Sequence, residues 1–174
     1  MKTFNYNRAE IKAGIVHFGV GNFHRAHLEA YTNLLLEDPP QRCWGVFGAM
    51  IMPTDGVLFN ALKKDDGIYQ LTTCSPSGEQ DSMLIGSLVE LAWGKIDSEP
   101  IIAKIASEEI KIISLTITEG GYKVDFNQSR SVFWYVAEGL KRRMEKDLPI
   151  TILSCDNMQM NGNAAKCAFM SYFE

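Results

Sequence analysis

The apolar run Ile15-Val16-His17-Phe18 passes without a linker into Gly19-Val20-Gly21, and helical spacing begins directly after Asn22. A short apolar run ending in glycine reads as a strand buried on both faces. The glycines allow the chain to reverse tightly into a helix, and the second leaves the backbone free of a side chain where a ligand would approach. The free N–H groups at the start of a helix form an anion site. In the pattern G-x-G-x-x-G the third glycine is replaced by His24. At this point a dinucleotide loop and a plain strand-to-helix turn with no ligand are both open.

Apolar runs and helical stripes alternate through the rest of the chain. Leu28, Tyr31 and Leu35 recur at helical spacing before Pro39-Pro40, and 43–48 reads as a second strand. A short helix is expected at 56–64, and strands at 68–73 and 88–91. A helix at 99–107 leads into the apolar strand 110–117. Val132, Phe133, Val136, Ala137, Leu140 and Met144 make one helical stripe, followed by a strand at 150–153 and a helix at 163–173. Strands separated by helices predict an α/β fold with a doubly wound, mostly parallel sheet.

Charge and composition exclude several function classes. Hydrophobic residues are 46% and charged residues 22% of the 174, an ordinary globular balance for one domain. The net charge of −4 divides evenly between the two halves, so no basic surface for nucleic acid is expected. The one basic run, Lys141-Arg142-Arg143, reads as cations favoured at a helix C-terminus. No apolar run approaches the ~20 residues that span a bilayer, and the N-terminus has no signal-peptide core, so a soluble cytoplasmic protein is expected. Cys43, Cys74, Cys155 and Cys167 form no C-x-x-C pair, and His24 with His27 lacks further ligands, so no metal site is expected.

Other chemistry-bearing residues fall at predicted strand ends. Asp55, the first acid after strand 2, suits a ribose hydroxyl pair but lies 34 residues beyond Gly21; a turn aspartate between Pro53 and Gly56 is the alternative. Glu119-Gly120-Gly121 closes the strand at 110–117, where ligands of open α/β sheets bind. Asp156-Asn157 closes the next. Asn157 has an amide able to support charge on a substrate oxygen, although turn and capping chemistry also explains both residues.

Gly19-Val20-Gly21-Asn22-Phe23-His24-Arg25-Ala26-His27, Ser114 to Tyr122 and Ser154-Cys155-Asp156-Asn157 occur in an order that strongly resembles the mannitol dehydrogenase family of polyol-specific long-chain dehydrogenases. The match is close over about 13–123 and resumes over about 131–174. It implies a Rossmann-like NAD-binding domain spanning 1–174, and reversible hydride transfer of the mannitol–fructose or hexuronate type. Gly19, Val20, Gly21, Asn22, Phe23, His24 and Arg25 match the family's cofactor loop. Asp55 matches its ribose acid, favouring NAD over NADP, although Thr54 and Gly56 stand where the family often has an acid and a base. Glu119, Gly120 and Gly121 match the turn beside the nicotinamide, and Asn157 the asparagine supporting the substrate oxygen. Against the family pattern the connection 123–130 reads as shortened, and the helical C-terminal domain with its catalytic lysine is expected to be missing. That leaves a polyol dehydrogenase cofactor domain, or a non-catalytic NAD-binding remnant able to self-associate through the face the missing domain would cover.

Overall fold

The computed structural model describes residues Met1–Glu174. In chain order the elements are β1 (Ala13–Phe18), α1 (Asn22–Ala26), α2 (Leu28–Leu35), β2 (Gly45–Met50), α3 (Gly56–Lys64), β3 (Tyr69–Cys74), β4 (Gln80–Ile85) and β5 (Leu88–Trp93). There follow α4 (Glu99–Ala106), β6 (Ile112–Leu115), α5 (Val132–Met144), β7 (Thr151–Ser154) and α6 (Asn161–Phe173). No helix is long and apolar enough to cross a membrane.

Five strands form one sheet in the order β5-β2-β1-β6-β7, every neighbouring pair parallel. All six residues of β1 and all six of β2 are buried, as a central parallel strand covered on both faces requires. Side chains alternate across the sheet. Val16, Phe18 and Phe47 join Ile101 and Ile105 of α4, Phe133 and Val136 of α5 and Phe169 of α6 on one face. Ile15, Val46 and Met50 meet Phe59 and Leu62 of α3 on the other. Each such aliphatic or phenyl side chain contributes about 1.5–3 kcal/mol by leaving water. The first three parallel strands build outward from β1 in one direction and β6 and β7 in the other, so the order reverses between β1 and β6. The predicted doubly wound α/β class is therefore the observed one.

Three local expectations are corrected. The strand read at 68–73 is β3, but it pairs antiparallel with β4 in a separate hairpin. The polar start of β4, Gln80-Asp81-Ser82, carries no strand signal, because most of the hairpin faces solvent. The stripe Leu28, Tyr31 and Leu35 does not form the buried face of its helix. The helix breaks at His27 (φ −121°, ψ −76°), and α2 buries Glu29, Thr32 and Asn33 while Tyr31, Leu34 and Leu35 stay exposed. Glu29 and Asn33 are tolerated at that interface because both find partners: Asn33 Oδ1 accepts from the Tyr6 hydroxyl at 2.6 Å and the Gly86 amide at 2.8 Å.

The third correction concerns α5, which buries Val132, Phe133, Tyr135, Val136, Gly139 and Arg143, with Met144 in solvent. The basic run thus divides. Lys141 pairs with Glu138 and Arg142 with Glu99, while the buried Arg143 guanidinium donates to the carbonyls of Ile105, Ser107, Ile110, Leu148 and Pro149. It holds the two loops entering β6 and β7, a structural role that helix-dipole reasoning does not supply.

Candidate functional site

A cleft of about 580 Å³ opens over the C-terminal ends of β1, β2 and β6. Gly19, Val20 and Gly21 line it from the turn after β1, and Met52, Thr54 and Asp55 from the turn after β2. Thr116, Ile117, Thr118, Gly120 and Gly121 form the wall beyond β6, and Gln128, Ser131 and Phe133 close the far side. The cleft lies at the reversal of strand order, where open α/β sheets bind ligands.

The glycines have separable tasks. Gly19 sits at φ +97°, and a Cβ there would lie 2.1 Å from the Thr116 carbonyl oxygen. Gly21 has no such neighbour: a Cβ would meet nothing nearer than 3.8 Å, and one at Gly120 nothing within 4 Å. The space side chains would take at these two cleft positions is open, as a backbone-hugging pyrophosphate and ring system requires. The arrangement fits a dinucleotide. The half-buried Asp55 accepts from the Met52 amide at 2.8 Å through Oδ2, which fixes the carboxylate at the rim and leaves Oδ1 without a protein partner. The turn reading and the ligand reading of Asp55 are thus compatible.

A buried polar layer supports the loop from beneath. Thr116 Oγ1 donates to the Gly19 carbonyl at 2.8 Å, so it accepts from His17 Nε2 at 2.9 Å. His17 Nδ1 then accepts from the Ser114 hydroxyl at 2.8 Å. The His24 ring stacks on His17, and its Nε2 lies 2.8 Å from Glu29 Oε1. Ser87 Oγ donates to the Glu29 carbonyl at 2.8 Å and also contacts Glu29 Oε2. The serine hydroxyl is the donor to Oε2 as well. Glu29 Oε1 accepts from His24 Nε2–H. Burial pushes the Glu29 pKa up to about 7 and holds both imidazoles well below their ordinary value. His24 Nδ1 is left with a bare lone pair, a smaller cost than an unpaired N–H.

Thr118 is strained. At φ +63°, ψ 166° it occupies a region that glycine alone visits freely, at a cost of ~1–3 kcal/mol. The carboxylate of Asp156, just past β7, accepts from the Ile117 amide at 3.1 Å and the Thr118 amide at 2.8 Å. The Tyr122 hydroxyl donates to it at 2.6 Å and lies 2.7 Å from Ser154 Oγ. Asn161 Nδ2 donates to the carbonyls of Ser154 and Asp156, tying the start of α6 to the same corner.

Of the residues singled out from sequence, Gly19, Val20, Gly21, Asp55, Gly120 and Gly121 line the cleft. Asn22 opens α1 with its side-chain oxygen accepting from Arg25, and Phe23 is exposed and stacked on His27. The His24 side chain is fully buried against His17 and Glu29, so it supports the loop from beneath and does not line the cleft. Glu119 and Asn157 are exposed at the cleft's β6–β7 side without lining it. Thr118, Tyr122, Gln128 and Phe133 were not anticipated, and Asp156 was read only as turn chemistry. The one signal pointing to Asp156 was its position at a strand end beside Asn157.

Comparison with known proteins bears on this arrangement. Residues 13–174 match the family model described as the mannitol dehydrogenase Rossmann domain. A mannitol 2-dehydrogenase of Phaeosphaeria nodorum is 34% identical, covering 96% of this chain and 33% of its own length. A polyol:NADP oxidoreductase of Gluconobacter oxydans is 35% identical over 96% of this chain and 39% of its own. The structure of Pseudomonas fluorescens mannitol 2-dehydrogenase in ternary complex with NAD and D-mannitol superimposes with a TM-score of 0.91 at 29% identity. That match covers 99% of this chain and 39% of the other. The chain thus spans about a third to two fifths of these relatives' length.

Proposed function

The chain belongs to the mannitol dehydrogenase family, and on that premise we propose that residues 1–174 are an NAD-binding domain of a polypeptide that moves hydride between a polyol and the nicotinamide, the polyol becoming its ketose as it gives up hydride and a proton. The observation that carries the proposal is the cleft at the strand-order reversal, with open backbone at Gly21 and a fixed carboxylate at Asp55. Bound NAD would supply the hydride acceptor. The chain's own residues bind and orient it: the amides at the start of α1 hold the pyrophosphate, Asp55 Oδ1 accepts from a ribose hydroxyl, and the 116–121 wall bounds the nicotinamide end. Asn157 supports charge on the substrate oxygen.

Asp55 favours NAD by repelling a 2′-phosphate. Mannitol–fructose and hexuronate-type pairs are the substrate classes the resemblance supports. Turnover is proposed for the longer architecture of the relatives, whose catalytic lysine matches no lysine here. An aligned span of 187 residues over 96% of a 174-residue chain supports a shortening relative to that relative within the matched span, and we place it near 123–130 on the resemblance alone. A second reading is an NAD-binding module without turnover.

NADH titration followed by tryptophan fluorescence tests the common core of both readings. The Trp93 indole donates to the carbonyl of Met52, a cleft residue, at 3.0 Å and is the natural reporter. Saturable quenching is expected. A folded chain that shows no response at millimolar NADH would overturn the proposal.

A further inference from the structure

Three donors from the β6 side of the cleft converge on one carboxylate from the β7 side. The Ile117 and Thr118 amides, consecutive in the chain, both point away from the cleft to Asp156, and the Tyr122 hydroxyl completes the set. Bonds from neutral donors to an ionised acceptor are about twice as strong as neutral pairs. This carboxylate therefore holds Thr118 in a conformation its own backbone disfavours. The strained residue is part of the cleft wall, and the residue after the carboxylate is Asn157.

We infer that Asp156 is a positioning residue, whose carboxylate sets the Ile117–Thr118 wall against the nicotinamide half of a bound dinucleotide and ties that wall to Asn157. The inference rests on the NAD-binding reading above. Asp156 touches neither Gly21 nor Asp55, so it acts on one half of the ligand only. The adenosine and pyrophosphate half meets the turns after β1 and β2; the nicotinamide half meets the turn that Asp156 holds. With the carboxylate gone, two backbone amides lose their acceptor and Thr118 can relax to an ordinary φ, which moves the wall.

The test compares NADH with ADP-ribose, which lacks the nicotinamide, on the 174-residue chain. Affinities are measured by titration calorimetry, and the nicotinamide emission of bound NADH gives a second signal. Wild type is expected to bind both. Asp156→Ala is expected to bind NADH about tenfold more weakly, with reduced nicotinamide emission, and ADP-ribose within about twofold of wild type. Asp156→Asn keeps one acceptor oxygen and gives an intermediate loss for NADH alone, and it serves where the alanine variant fails to fold. Equal losses for both ligands, or no loss for either, overturn the positioning role while leaving NAD binding standing. A folded wild type that binds neither ligand removes the NAD-binding reading, and the inference with it.

Discussion

His17 and His24 stack ring on ring, their centroids 3.5 Å apart and their planes within 9° of parallel, fully buried beneath the glycine turn. Two imidazolium rings at that distance would repel strongly. The stack is stable because both rings are neutral, and the buried Glu29 carboxyl, its pKa pushed up to about 7, completes the layer. A sequence reader meets His24 as a flaw in a glycine fingerprint; in the fold it is half of the platform on which the turn rests.

This layer makes stability depend on pH in two directions. The raised acid of Glu29 contributes fully below its unfolded value of 4.5, and that contribution is lost as pH climbs towards about 7. The depressed imidazoles contribute fully above 6.5 and lose it as pH falls. Between 4.5 and 6.5 two imidazoles outweigh one acid, so their net contribution rises with pH; just above 6.5 only the acid acts, and it declines. Glu29→Gln keeps the size of the side chain and is neutral at every pH. Urea denaturation across pH 4–8 is expected to show the variant gaining on wild type between 4.5 and 7, by on the order of 3 kcal/mol. A constant difference over that range would mean that Glu29 is ionised in the fold.

Gly21→Val separates site from scaffold. The position has room, so the melting temperature is expected to stay within about 4 °C of wild type, a change of under ~1 kcal/mol. NADH affinity is expected to fall at least about tenfold, because the side chain takes up cleft space. Gly19→Ala gives the reverse pattern. A Cβ 2.1 Å from the Thr116 oxygen at φ +97° has nowhere to go, and a loss of ~2–4 kcal/mol in fold stability is expected by denaturant titration.

Asp55→Ala is expected to shift the NAD-to-NADP affinity ratio about tenfold towards NADP. It also removes the carboxylate that accepts from the Met52 amide, at a cost of ~1 kcal/mol in stability. Paired titrations with the two cofactors read the first effect and thermal melting the second. An unchanged ratio with a lowered melting point would leave Asp55 as a capping residue alone.

Arg143→Met preserves the aliphatic bulk but leaves five carbonyls without their shared donor. A loss of ~3–5 kcal/mol is expected in equilibrium unfolding. Arg142→Met, which breaks an exposed pair with Glu99, is expected to leave the unfolding midpoint close to wild type. Similar losses for the two neighbours would contradict the structural role of Arg143.

The parallel sheet was legible in the sequence because β1, β2 and β6 are apolar runs bounded by glycine and turn residues. The glycine turn was legible because its chemistry is local. The inward face of α2 was not: Glu29 and Asn33 look like solvent residues until Ser87, Gly86 and Tyr6 arrive from elsewhere in the chain to pair with them. The same holds for Arg143, whose burial depends on carbonyls from two other loops.

Periodicity and glycine placement therefore determined the fold class, the strand-to-helix turn and the strand-end position of Asp55, since each depends on a few consecutive residues. The tertiary structure alone decided that His24 faces inward and that Asp156 reaches the amides of Ile117 and Thr118. Those contacts exist because β6 lies parallel between β1 and β7, with Leu115 paired to both Phe18 and Ser154. That register brings together strand ends lying nearly forty residues apart, and the pairing of strands is a property of the whole sheet.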